Sequence, residues 1–391
     1  MAEPTAGAGV PSPKARLLFI DLYRSAVILL MLEGHFVRTF LSADLQRSTF
    51  FQVHEFIHGL SAPAFLFGAG LTFIVSTRQR WIEYHHWGPP LARRIRRLLF
   101  VLLIGLALHL PYFSIRKIVL EGTSADFLQL FQSDVLTCIG IGLISLHAVV
   151  FFFKTESRFY GLVLSATLIV CFLTPIVWDA DFLHSAPPFI SQLFDGRNGS
   201  PFPLFPYVGF LFAGVIVSWE FLVASEQHRE RQFMVRLFAI GAAFLLAGIL
   251  FDALPIRMYP TYNYWYTSPN YFFVRIGCVM FLTAGSWLVA ARISSPSPLL
   301  TVFGKESLFI YALHLPIIYG SVVNPSLNLR SMSAPDHGAA ETAMYCLLFI
   351  AIMLGCAVAW NYLKRKHFNI YRLIQLGTSA VFLYLLFTHE N

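Results

Sequence analysis

Apolar runs long enough to cross a bilayer recur along this 391-residue chain, and that recurrence constrains the fold more than any single motif does. A helix needs about 20 mostly apolar residues to span the hydrocarbon core. About eleven segments qualify: roughly 17 to 37, 56 to 77, 98 to 113, 135 to 153, 159 to 178, 204 to 222, 235 to 254, 271 to 291, 299 to 320, 342 to 362 and 371 to 387. Hydrophobic residues make up 57% of the chain and charged ones 13%, far from a soluble average. The expectation is an all-α polytopic integral membrane protein. One domain should cover 16–391, behind a disordered tail over 1–15. The first apolar segment is too long and too charged for a signal peptide and is expected to be retained.

The formal net charge is +7, which raises the question of nucleic acid, but the Lys and Arg residues gather at segment ends. Lys14 and Arg16 precede the first segment. Arg78, Arg80, Arg93, Arg94, Arg96 and Arg97 fill the second loop, with Lys154 and Arg158 in the fourth. Arg229, Arg231 and Arg236 follow in the sixth, and Lys364, Arg365, Lys366 and Arg372 in the tenth. By the positive-inside rule the amino terminus and the even-numbered loops are cytoplasmic, and the carboxyl terminus is external. This distribution argues against a nucleic-acid partner. Cys138, Cys171, Cys278, Cys346 and Cys356 lie in apolar runs without CxxC spacing, so they read as small buried hydrophobes.

The first segment carries charges that need a reason, because an ionisable group in a membrane helix costs about 2.5 to 3.5 kcal/mol on insertion scales. Asp21, Arg24, Ile28, Met31 and His35 recur at three and four and so share one helix face. Arg24 and His35 stand about 16 Å apart along the axis. An ion pair accounts for Asp21 and Arg24 but leaves His35, which can act as a base or nucleophile. Glu33 points elsewhere, with no role assigned.

Three further stretches carry candidate chemistry. His54-Glu55-Phe56-Ile57-His58 spells HExxH, in which two His one turn apart can bind zinc and the Glu can act as base. A third ligand is missing, because Asn324-Pro325 is not followed by the Asp-Gly pair that membrane metalloproteases use. No metal is therefore expected, and a zinc metalloprotease built on His54, Glu55 and His58 is held as the alternative, beside a transporter. Ser307, Tyr311 and His314 form a second polar stripe, either interhelical glue or a cavity wall that holds substrate. The loop around Tyr262 and Trp265 is rich in aromatic rings, which suits sugar stacking and an interfacial belt equally.

Taken in order, IDLYRSAVILLMLEGH, HGLSAPAFLFGAG, DVLTCIGIG, PFPLFPYVGFLFAG and FGKESLFIYALHLP resemble bacterial membrane proteins related to the catalytic domain of heparan-alpha-glucosaminide N-acetyltransferase. Their wider relatives are the acyltransferase-3-type membrane enzymes. The resemblance implies an eleven-helix membrane fold in the bacterial cytoplasmic membrane. It also implies transfer of an acyl group, usually acetyl from acetyl-CoA, to a carbohydrate or glycan acceptor across the bilayer. Arg24 and His35 match the Arg-x10-His signature, whose His is taken as catalytic. His58 matches the His of a His-Leu-Ser/Cys-Ala-Pro segment, and Ser307, Tyr311 and His314 match an Asn-Ser…Tyr…His stretch in which Glu306 replaces Asn. Ser25 departs from the usual Gly, and Cys138 stands where the lysosomal enzyme has Arg. That enzyme uses a His of the following external loop, so the choice of working base among His35, His54 and His58 stays open. On this reading Arg24, Asp21, His35 and His58 form the catalytic set. Arg93, Arg94 and Arg97 hold the phosphates of acyl-CoA or serve topology alone, and a homodimer stays open.

Overall fold

The computed structural model describes residues 17–180, 186–255, 258–259, 262–295, 297–321, 324, 326–333 and 336–388. The expected tail over 1–15 lies outside them. All of the expected apolar segments are helical. In chain order the long helices are α1 (Leu18–Phe40), α2 (Thr49–His58), α3 (Ser61–Thr77), α4 (Pro89–Leu108), α5 (Val135–Phe153), α6 (Glu156–Trp178), α7 (Leu204–Glu226), α8 (Glu230–Ala253) and α9 (Pro269–Ala290). They continue with α10 (Pro298–Lys305), α11 (Ser307–Tyr319), α12 (Ala339–Lys366) and α13 (Phe368–Thr388). Among the described residues no β-strand forms beyond one bridge between Leu41 and His337.

Eight helical spans are long and apolar enough to cross a membrane among the described residues, counting Thr49–Arg80 as one. The protein is therefore an all-α polytopic membrane protein. Three of the expected spans fall outside that set, each for a reason written in its residues. Helix α1 carries Asp21, Arg24, Glu33 and Arg38, and α4 opens with Arg93, Arg94, Arg96 and Arg97. The segment expected over 299 to 320 is broken at Glu306, whose backbone leaves the helix at φ −107°, ψ 28°. Burial explains the break. Glu306 is 5% exposed, accepts from Asn361 Nδ2 at 2.7 Å and meets Lys364 Nζ at 3.3 Å, so the carboxylate is anchored to α12.

In lipid no hydrophobic force drives one apolar helix onto another, and association rests on close packing and polar contacts. The α3–α7 crossing shows this. A β-carbon at Gly70 would come within 2.0 Å of the Leu211 carbonyl, and one at Gly214 within 2.1 Å of the Phe67 carbonyl. Only glycine lets these backbones meet. The crossing fixes α3 beside α1, where Tyr23 is fully buried and donates to the Ala64 carbonyl at 2.7 Å. Helix α13 is the least buried of the long spans and has Leu386 as its one buried residue among those described.

Candidate functional site

Three consecutive residues of α1 each make their own contacts with α2 or α11, because each step turns the helix by about 100°. Glu33 Oε1 lies 2.7 Å from Nε2 of His54, and the carboxylate accepts the Nε2–H. Gly34 faces His58, whose Nδ1 stands 1.7 Å from where a β-carbon would be, so the imidazole fills the missing side chain's space. His35 packs edge-on against His58 at 5.5 Å between ring centroids and lies 5.2 Å from His314. Its Nδ1 is 3.3 Å from the hydroxyl of Tyr319. One turn on, Arg38 forks onto the Glu55 carboxylate. His58 is thus seated against α1 by Gly34.

These contacts give HExxH a structural explanation. All three of its chemical residues face α1: His54 through Glu33, Glu55 through Arg38, His58 through Gly34. The rings of His54 and His58 lie 6.4 Å apart and nearly parallel, at 15°. Among the described residues no group of three His, Cys, Asp or Glu has the arrangement of a metal site.

At the other end of the same helix face lies a cavity of about 140 Å³, lined by Tyr23, Arg24 and Val27 of α1 and by Ala64, Ala69 and Ser307, among others. That is well above the ~10–15 Å³ that one water needs. Arg24 donates to the Ser307 hydroxyl. Asp21 is buried with its backbone against Gly304, next to Ser25, whose hydroxyl accepts from the Gly304 N–H at 2.9 Å.

Between the cavity and the histidines stands Tyr311. Its ring is 6.1 Å from Phe65, a cavity wall, and 5.6 Å from His314, and its hydroxyl donates to Asp134 at 3.4 Å. Asp134 is 2% exposed and caps α5 by accepting from the Thr137 N–H at 2.7 Å. Sequence reasoning missed it, although an acid at the head of an apolar run, DVLTCIGIG, is the signal that could have found it. His35 does not line the cavity; it is half-buried at the far side of Tyr311.

The other candidates sit apart from this axis. Arg94 is half-buried and donates to the Ser76 hydroxyl at 3.2 Å, while Arg93 and Arg97 are exposed. The contacts of Tyr262 run to Asp252 and Ser268, and Trp265 packs 5.0 Å from Tyr271. Burial, with the nearby Asp252 carboxylate, raises the Tyr262 phenol above its ordinary value and pushes that of Tyr264 up to about 12. Both are neutral hydroxyls at physiological pH. Tyr271 is 6.3 Å from Phe56 of α2, which is how this loop connects toward the histidines.

Residues 16–249 match the family described as heparan-alpha-glucosaminide N-acetyltransferase, catalytic. No protein of curated function matches the sequence. The match covers more than half of the chain and takes in Arg24, His35, His54, His58 and Asp134; the α11 side of the site, with Ser307, Tyr311 and His314, lies beyond it. A multi-pass helical membrane protein with this match over α1 to α8 belongs to the heparan-alpha-glucosaminide N-acetyltransferase catalytic family, and it is an acyltransferase by that membership.

Proposed function

We propose that the protein takes an acetyl group from acetyl-CoA on the cytoplasmic side of a bacterial inner membrane and delivers it to a carbohydrate or glycan acceptor on the other side. His35 carries the chemistry. The single observation behind this reading is the layout of α1, which presents Arg24 at a cavity and His35 in a cluster of imidazoles on the same face. The basic even-numbered loops put the Arg24 end toward the cytoplasm and the His35 end outside.

The cavity beside Arg24 and Ser307 has room for the acetyl thioester end of the donor, with a guanidinium and a hydroxyl as donors to its carbonyl oxygen. His35 then acts in one of two ways. It takes the proton of the acceptor's amine or hydroxyl as that group attacks the thioester carbonyl, or its ring nitrogen attacks first, the C–S bond breaks, and the acyl group passes on. Either way, the Tyr311 ring has to turn aside for the acyl group to reach His35. Arg93, Arg94 and Arg97 meet the donor's phosphates at the cytoplasmic entrance.

The test is direct. Purified protein is incubated with radiolabelled acetyl-CoA and glucosamine, and CoA release and label on the amine are followed. His35→Ala should abolish both while eluting as a folded species in detergent. Full transfer by His35→Ala would overturn the assignment.

A further inference from the structure

His314 is fully buried in α11, and its Nδ1 lies 3.0 Å from the backbone carbonyl of Ile310 one turn back. A carbonyl oxygen can only accept, so Nδ1 carries the proton, and a neutral ring then has its lone pair on Nε2. That Nε2 is buried without a hydrogen-bond partner. An unpaired acceptor in a low-dielectric interior is costly unless something approaches it. A second imidazole, His35, lies beside this ring at 5.2 Å between centroids. A linear N–H···N bond of about 2.9 Å sets imidazole centroids about 5.2 Å apart, so a turn of the His35 ring can bring its nitrogen to His314 without moving a helix and without breaking the bond to Ile310.

The same lock occurs at His147, whose Nδ1 donates to the Leu143 carbonyl at 2.8 Å and whose Nε2 is likewise buried without a partner. Its ring neighbours are Phe73 and Tyr84, neither of them a second imidazole. The tautomer lock is therefore a local habit of helical His, and of these two rings it is His314 that lies beside a second imidazole that is itself partly accessible.

We infer that His314 is the proton acceptor behind His35, a relay residue whose fixed tautomer lets the accessible imidazole give up one proton as it takes another. The inference rests on the acyl-transfer reading above. As His35 takes the acceptor's proton on one ring nitrogen, the proton on its other nitrogen moves to Nε2 of His314. His314 becomes imidazolium, His35 stays neutral, and the charge lies deeper than the reacting carbonyl. When the thiolate of CoA leaves, the proton returns along the same path and the thiol forms. Acting through His35, His314 is a positioning and relay group and does not touch substrate.

Other ionisable groups face this pair: Glu33 and Arg38 from α1, His54, Glu55 and His58 from α2, Tyr311 and Tyr319 from α11, and Asp134 at the head of α5. A pH profile alone would mix them, so the test changes His314 and reads the proton position separately. In protein carrying ¹⁵N-histidine and reconstituted in lipid, the His314 resonances, assigned by their loss in His314→Asn, should show protonated Nδ1 and bare Nε2 at neutral pH. A protonated Nε2 overturns the inference.

With acetyl-CoA and glucosamine as probes, His314→Asn keeps an amide near the Ile310 carbonyl but offers no base toward His35. Its kcat should fall about 10²-fold or more, with KM for acetyl-CoA within about threefold. Its rate should climb with pH where that of the wild type is level, and added imidazole should restore part of the rate in His314→Ala. A folded His314→Asn with wild-type kcat and pH profile would refute the relay. His314→Gln, read the same way, serves if the Asn variant does not fold. If wild-type protein moves no acetyl group, the acyl-transfer reading falls, whereas the nitrogen resonances still decide where the proton sits.

Discussion

A β-carbon on Gly34 would stand 1.7 Å from Nδ1 of His58, so the backbone of α1 and the imidazole of α2 share a space that admits no side chain. Gly34→Ala must push His58 off its seat, at a packing cost of about 1–3 kcal/mol. Because a shift of about 1 Å at a reacting site can cost on the order of 10²-fold in rate, acetyl transfer should fall by about that factor while the protein stays folded. Carbethoxylation followed by mass spectrometry should show His58 becoming more reactive. Unchanged transfer with unchanged His58 labelling would show that the seat does not matter.

Glu55 separates the two readings of HExxH. Its carboxylate is tied to Arg38, with side-chain exposures of 27% and 56%, and such a pair contributes on the order of 0.5 kcal/mol. Glu55→Gln should therefore cost little stability and leave most of the acetyl transfer, and chelators should have no effect. A zinc peptidase would lose its activity in both experiments.

The cavity beside Arg24 can be filled from α3. Ala69→Phe places a ring into the space of about 140 Å³ and should raise KM for acetyl-CoA by about tenfold or more. Carbethoxylation of His35, on the far side of Tyr311, should not change. If KM holds steady, the donor does not use this cavity.

Glu306 and Lys364 offer a stability test. The carboxylate is 5% exposed and the ammonium 45%, so the two partners are not equivalent. Lys364→Ala leaves a buried charge with Asn361 as its remaining described partner and should destabilise by about 1–2 kcal/mol, whereas Glu306→Gln should cost less than about 1 kcal/mol. Thermal unfolding in detergent would give the order, and the reverse order would show that the carboxylate is not the stranded member.

Much of this architecture was legible in the sequence because apolar length is a one-dimensional property. Helices α5 to α9, α12 and α13 could be read off their runs, and the three-and-four spacing of Arg24 with His35, and of Ser307 with His314, told which residues share a face. Which helices then meet is not written in any one segment. Glu33 had no evident role until α2 folded back and brought His54 to it. HExxH resembles a metal motif in one dimension and turns out to face α1 with all three of its chemical residues. The break at Glu306 was hidden because its partners, Asn361 and Lys364, lie more than fifty residues away. The aromatic loop was ambiguous for a physical reason too, since rings that stack on sugars and rings that sit at a lipid interface have the same composition.

Helix α1 also behaves as a phase reference. Eleven positions separate Arg24 from His35, and at about 100° per residue they differ by roughly 20° in azimuth. Inserting one alanine between Ser25 and Leu32 would rotate Glu33, Gly34 and His35 by about 100° relative to Arg24, dismantling every contact with α2 and α11 while leaving each named side chain in place. Deleting one residue elsewhere in that interval would bring the two ends back into step. The quantity this helix encodes is therefore an angle as much as a set of side chains.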